Sequence, residues 1–302
     1  MVPESAPLAD VDPETATVAD LSVTAVERAL ESDDPLVRQH ATGVCVQAAV
    51  DDPAAMGSFV DVLVDALDDE SVVVAQKAAA ALVPIAAAAP DEFGNAGGEL
   101  LALYQHDLST ARAYGAKLLG TLAVERPAVL VDHVDAVVDA LDAPTEELDA
   151  VSTAADSEPV DDEVRAAMSR HDDAELEREQ ASRETVANVV VAVAEAHPEA
   201  VAPHLDRIAD VTPDAPTVVA AAFVDAIATV AQADPDAARD TTAVLLDCLD
   251  HDHPMVRGRA VRALGFLGDD ATVDHLREVA AEDADEDVRS LAAETADFVE
   301  AN

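Results

Sequence analysis

Lysine is almost missing from this chain. Only Lys77 and Lys117 occur among 302 residues, and 17 basic residues face 63 acidic ones, for a net charge of −46. Neutralising a phosphate backbone takes clustered lysine and arginine, so this balance argues against nucleic-acid binding. The one basic cluster, Arg257, Arg259 and Arg262 with nearby Arg277, is surrounded by acids; the other reading for it is a small anion-binding patch. Tryptophan is absent and there are two cysteines, Cys45 and Cys248, which are read as small buried hydrophobes in a reducing cytoplasm. There is no Gly-x-Gly-x-x-Gly, Walker-type loop, Cys-x-x-Cys or Gly-x-Ser-x-Gly, so the expectation is a non-enzymatic protein without cofactor or metal. The glycines at 94, 97 and 98 lie between helical segments and read as a loop. The first residues, MVPESAPLAD, lack a basic segment followed by an apolar core, so nothing marks an export route and a cytoplasmic location is expected. The apolar stretch 71–90 carries Lys77 and Pro84, which makes it core and not a membrane span.

What is present is a period. Pro53, Pro90 and Pro127 stand 37 residues apart, and Pro198 and Pro235 repeat the interval. Four residues before each comes alanine: Ala49, Ala86, Ala123, Ala194 and Ala231. Eight before come Cys45, Leu82, Leu119, Val190 and Ile227, all apolar. Ten and eleven residues after the prolines stand Leu63–Val64, Leu100–Leu101, Val137–Val138, Ile208–Ala209 and Leu245–Leu246. Spacings of four on both sides of the break are those of amphipathic helices. Each unit therefore reads as helix, proline-marked turn, helix, because proline inside a helix loses a backbone bond. Neither strand-like alternation nor an Asn-Gly hairpin signal appears. The expected fold is an all-α solenoid of about six helix-turn-helix repeats with capping helices. Four such layers separate Cys45 from Cys248, far beyond disulfide reach.

The string DDPLVRQHA at 33–41 recurs as HDHPMVRGRA at 251–260 and ADEDVRSLAA at 284–293. On these residues the chain resembles the HEAT-repeat family, whose first helix opens with an acidic residue, often a proline, then Val-Arg. The last two units resemble the phycobilisome-lyase type of HEAT-like repeat, through VRALGFLGDD and the shorter 32-residue interval from Val256 to Val288. The resemblance implies ion pairs tying neighbouring repeats through Arg38, Arg112, Arg183, Arg257 and Arg289; Ala75 and Ala220 stand at that position in repeats two and five. The acid excess, scarce lysine and abundant alanine, valine and aspartate also resemble cytoplasmic proteins of salt-in halophilic archaea. At about 1 M salt the screening length is about 3 Å, which cancels most of the self-repulsion that −46 would otherwise impose.

The chain divides accordingly. Residues 1–13 read as a mobile N-terminus, 14–142 as a cap helix and three repeats, and 176–302 as three repeats and a final helix packed through Leu291, Phe298 and Val299. Residues 143–175, with eleven acidic residues and two arginines, read as a solvated acidic insertion or as an eroded repeat with two short helices.

The candidate binding residues are aspartates eight and twelve residues after the prolines: Asp61, Asp65, Asp135, Asp139, Asp206, Asp210 and Asp247. Such i, i+4 pairs share one helix face, and like charges at that spacing mildly destabilise a helix. In HEAT proteins the second helices line the concave surface, so the resemblance implies acidic rows there. One use is a groove for a basic partner segment; the other is halophilic surface chemistry. Gly97, Gly98 and Ala102 interrupt the rows beside Tyr104, leaving a neutral window as a possible apolar anchor point. Asp250, His251, Asp252 and His253 supply metal-ligand types but occupy a turn that needs helix-starting chemistry. The expected function is a protein-interaction scaffold with a concave acidic surface. A lyase- or chaperone-like assembly factor for a cofactor-bearing client, and a structural spacer, are the alternatives.

Overall fold

The computed structural model describes residues 6–142 and 162–301, with side chains from residue 174 in the second stretch. Among the described residues every regular element is helical. The chain is an all-α solenoid of helix-turn-helix repeats, and its described residues form two compact units: residues 6–129 with 162–182, and residues 130–142 with 183–301. The first unit holds α1 (Val23–Leu30), α2 (Pro35–Asp51), α3 (Val60–Asp65), α4 (Val72–Ala88), α5 (Gly97–Tyr104) and α6 (Ser109–Glu125). The second opens with α7 (Val134–Asp142), and α8 (Asp162–Ala196) contributes residues to both. There follow α9 (Pro198–Val201), α10 (Leu205–Val211), α11 (Thr217–Ala233), α12 (Thr242–Asp247), α13 (Pro254–Leu267), α14 (Val273–Glu282) and α15 (Glu286–Ala301).

The long helices α2, α4, α6 and α11 each run 17 residues and stop two residues before a proline. A residue preceding proline is pushed out of the α region by its ring. Asp52, Ala89, Arg126, His197 and Asp234 accordingly have φ between −139° and −153° and ψ between 55° and 92°. Each still donates its own amide to the carbonyl four back, as Arg126 does to Leu122 at 2.7 Å, so the break falls on the proline itself. The helix α13 ends by another device. Gly268 takes the left-handed φ of +62° and donates to Leu264, and the helix is 14 residues long. Glycine adopts that conformation without the Cβ penalty.

Packing follows the period. Ala49, Ala86, Ala194 and Ala231 are fully buried, and Ala123 nearly so. Cys45, Leu82, Leu119, Val190 and Ile227 are buried beside them, as are Leu63, Leu100, Val137, Ile208 and Leu245 in the second helices. Ala209 and Leu246 are only half-buried; the buried positions there are Leu205, Ile208 and Val211, and Val244 with Leu245. α2 lies on α4, α4 on α6, α11 on α13 and α13 on α15. The helices α5 and α6 approach each other closely at Gly115. A Cβ built on Gly115 would stand 2.4 Å from the Tyr104 amide nitrogen and 2.7 Å from its Cα, so only glycine fits that position.

The ends depart from the sequence reading. Residues 6–13 form turns whose Ala6 and Leu8 pack against Ala29, Val37 and Ala41, and the Leu8 carbonyl lies 2.9 Å from His40 Nε2. On α15, Leu291 and Phe298 are 36% and 59% exposed, while Val288, Ala292, Ala296 and Val299 are buried. Small residues face the neighbouring helix there and the large ones face outward. The segment expected as an acidic insertion, 143–175, lies outside the described residues as far as 161; from Asp162 it is part of α8.

The repeat arginines hold adjacent layers together in a common pattern. Arg38, 6% exposed, donates Nη1 to the Ser32 carbonyl at 2.9 Å and grips the Asp69 carboxylate with Nε and Nη2 at 2.7 and 3.1 Å. Arg257 repeats this on the His251 carbonyl at 2.9 Å and on Asp283, at 2.8 Å from both nitrogens. Arg112 donates to the His106 and Asp107 carbonyls and, through Nε, to Glu179 of α8 at 2.8 Å. Arg289 donates to the Asp283 carbonyl at 2.7 Å, and Arg183 is buried on α8. The turn residue that supplies the carbonyl also caps the chain. Side chains of Ser32, Asp69, His106, His251 and Asp283 each accept the amide two residues on, at 2.7 to 3.2 Å.

Two measurements test this packing. Gly115→Ala should lower stability by about 1–3 kcal/mol, the cost of overpacking against backbone. Helix propensity alone would raise stability by up to about 1 kcal/mol, so a gain in urea denaturation would refute the close approach. Arg257→Met should cost about 3–5 kcal/mol, because Asp283, with a side chain only 4% exposed, is left buried and unpaired. The Arg257 hydrogen bonds hold the Asp283 carboxyl below its ordinary 3.8. A depressed carboxylate contributes stability above its unfolded value and loses it as pH falls through the folded one. The gap between wild type and variant should therefore be full at pH ~5 and close as pH drops below about 4. A gap independent of pH would show that the pair is not its source.

Candidate functional site

The candidate aspartates all sit on second helices and all are exposed. In the first unit, Asp61 and Asp65 lie one turn apart on α3, opposite the buried Val60, Leu63 and Val64. In the second unit, Asp135 and Asp139 lie on α7, Asp206 and Asp210 on α10, and Asp247 ends α12. Exposure follows from the period: with the apolar positions turned into the stack, residues eight and twelve beyond the proline can only face outward.

These acids are partly answered. Arg207 on α10 reaches across to α7, placing Nε 3.0 Å from Asp139 Oδ1 and Nη2 2.9 Å from Asp142 Oδ2. His204 Nδ1 lies 3.3 Å from Asp135 Oδ1. Hydrogen bonds that it donates to Asp142 and then to Asp139 push the Arg207 guanidinium above its usual range. Sequence reasoning passed over Arg207. The signal was there: the equivalent positions hold Val62, Glu99, Ala136 and Val244, so one cation stands where the other repeats have none. Asp61, Asp65, Asp206, Asp210 and Asp247 remain as outward carboxylates.

Other sequence candidates are placed differently. Tyr104, expected beside an open window, is only 4% exposed, because its backbone is pressed against Gly115. The window of Gly98 and Ala102 thus carries no exposed aromatic ring. The basic cluster is engaged with carboxylates. Arg259 and Arg262 both pair with Asp225, Arg277 with Asp297 and Glu300, and Arg257 with Asp283. Burial raises the Asp225 carboxyl against the lowering influence of Arg259 and Arg262. His251 and His253 use Nδ1 to accept the amides of His253 and Met255, at 3.0 and 3.2 Å. Among the described residues no three histidine, cysteine or acidic side chains converge as metal ligands.

Both thiols are buried. Desolvation pushes Cys45 up to about 12, and desolvation with the Asp247 charge pushes Cys248 up to about 11. Neither supplies a thiolate nucleophile near neutral pH. No helix among the described residues is long and apolar enough to cross a membrane.

With this geometry in place, comparison with known proteins supports the architecture. Residues 205–296 match the HEAT repeats family. A search of curated proteins gives no match. Among solved structures, the chain is similar to a Kap121p mutant, 14% identical with a TM-score of 0.52, over 92% of this chain and 30% of that one. It is also similar to an engineered protein, 20% identical with a TM-score of 0.48, over 82% and 98% of the two chains. A designed armadillo repeat protein in complex with the peptide (KR)4 is 17% identical with a TM-score of 0.47, over 82% and 100%. At these identities the likeness concerns the fold alone. The chain folds as a helical-repeat solenoid, and residues 205–296 are its HEAT-like stretch.

Proposed function

We propose that the chain is a non-enzymatic scaffold that holds a protein partner against the acidic face of its second helices. One observation carries the reading: Asp61, Asp65, Asp206, Asp210 and Asp247 are exposed at equivalent repeat positions on faces that the packing leaves outward. A basic partner segment laid on this face of either unit would meet these carboxylates, and complementary charge of this kind governs encounter rate and register more than affinity. The buried thiols weigh against a lyase-like attachment of a cofactor, since that chemistry needs an accessible nucleophile. We further propose that the protein works in a salt-rich, archaeal-type cytoplasm. A net charge of −46 with two lysines suits a solvent in which surface repulsion is screened.

Both parts are open to measurement. Reversing charge with Asp65→Lys, Asp139→Lys and Asp210→Lys together should abolish partner capture in pull-downs from native high-salt lysate. Undiminished capture at matched salt would remove the acidic face from the function. Helical content followed by circular dichroism should fall as KCl is withdrawn. Full helicity with cooperative melting at about 10 mM salt, where the screening length is about 30 Å, would contradict the solvent assignment.

A further inference from the structure

Repeats with and without the layer-bridging arginine differ at a second position. Arg38 is followed 31 residues later by Asp69, its carboxylate partner. Ala75 and Ala220, which take the arginine's place in repeats two and five, are followed 31 residues later by His106 and His251. At Ala220 the vacated space is closed, for that residue is 1% exposed. At Ala75 it is not. The methyl group lines a cavity of about 250 Å³ between the N-terminal halves of α4 and α6.

The cavity has a polar end and an apolar wall. Asp68, Asp69 and Glu70 stand at the turn leading into α4, and His106 occupies the position that is a carboxylate in the arginine-bearing layers. Val72, Leu108, Ala111 and the half-buried Tyr114 line the rest. In the layer below, the same slot is filled by Arg38, whose Nη1 meets the Ser32 carbonyl; Asp69 is the residue equivalent to Ser32 here. The volume lies below the roughly 300–1,000 Å³ of ordinary small-molecule pockets. Arginine fits such a site chemically, because its methylene stem packs on apolar groups while the planar guanidinium takes carboxylate or carbonyl acceptors and stacks on aromatic faces.

We propose that the cavity at Ala75 is a docking slot for an arginine side chain of the partner, which supplies in trans the guanidinium that repeat two lacks. The inference rests on the scaffold reading and adds the residue type that the scaffold recognises. Of the charged groups at the slot, Asp69 serves Arg38 and the exposed Glu70 reaches it with one oxygen at 3.3 Å, so Asp68 and the outer oxygen of Glu70 provide the remaining negative charge.

The test is a titration of the full chain, labelled for NMR, with Nα-acetyl-arginine amide in about 1 M KCl, where non-specific attraction to the acidic surface is screened. Saturable shifts should centre on Ala75, Leu108 and Tyr114, with affinity at least tenfold above that of the acetyl-citrulline and acetyl-lysine amides. Ala75→Arg, which fills the slot from within, should abolish them. Should that variant lose its native spectrum, Asp68→Asn with Glu70→Gln decides, since both side chains are exposed; it should weaken binding at least threefold. Equal binding of citrulline, shifts spread over the surface aspartates, or binding unchanged in the blocked or neutralised variant would each overturn the slot. The probe contains no partner protein. Its failure therefore removes the slot alone, whereas failure of the pull-down removes the acidic face.

Discussion

The helices α2, α4, α6, α8 and α11 each stop where a proline ring bars the preceding residue from helical geometry, and the register of the second helices after them follows from that stop. Because Asp52, Ala89, Arg126, His197 and Asp234 are all forced out of the helical region, the turns recur at fixed positions in the chain. The second helices then begin at Val60, Gly97 and Val134, and at Leu205 and Thr242, again 37 residues apart within each series. Fixed starts put alanine, leucine and valine on the inner stripe every time. They also put aspartate on the outer one. Core and candidate surface are two outcomes of one conformational restriction.

Charge is handled in two distinct ways by the same composition. A few carboxylates are taken out of water and matched to arginines with near-ideal two-pronged geometry: Asp69 with Arg38, and Asp283 with Arg257. Removing one member of such a pair strands a buried charge, which makes these contacts expensive to lose. Most acids among the described side chains are not in this class. They stand in solvent, where individual pairings are worth little and salt screens them. Arg207 lies between the classes. It bridges Asp139 and Asp142 on a face otherwise given over to negative charge, so any cationic ligand approaching α7 competes with a resident one.

Much of the fold was legible because the signal recurs, and the misses occur where it does not. The proline, alanine and leucine positions could be aligned five times over, and the burial of the alanines and of the apolar positions follows the alignment. The burial of Tyr104 beside the neutral gap was not legible because its environment depends on Gly115, a close approach that no periodic pattern announces. Phe298 and Leu291 were assigned to packing by hydrophobicity, yet α15 meets its neighbour through Ala292 and Ala296, whose small size permits contact. Residues 162–175 were joined to the acidic segment on composition, whereas they are continuous with a helix whose Glu175 and Glu179 engage Ser109 and Arg112. The turn acceptors Ser32, Asp69, His106, His251 and Asp283 were visible as polar residues, but their common bond to the amide two residues on emerged only from the backbone geometry.

That turn position has a consequence for how such a chain can evolve. Aspartate there performs two tasks, holding its own loop and receiving the guanidinium of the preceding layer; histidine performs the first and abandons the second. The pairings Arg38–Asp69 and Arg257–Asp283 against Ala75–His106 and Ala220–His251 behave as two spellings of one word. A mutation that changes one letter leaves either a stranded cation or a surplus anion, so lineages should carry the letters in matched sets. A tandem copy of repeat two alone would set its Ala75 against a second Asp69 at the one new junction, whereas a copy of repeats two and three together would set Arg112 there, which favours copying in blocks of two layers over one.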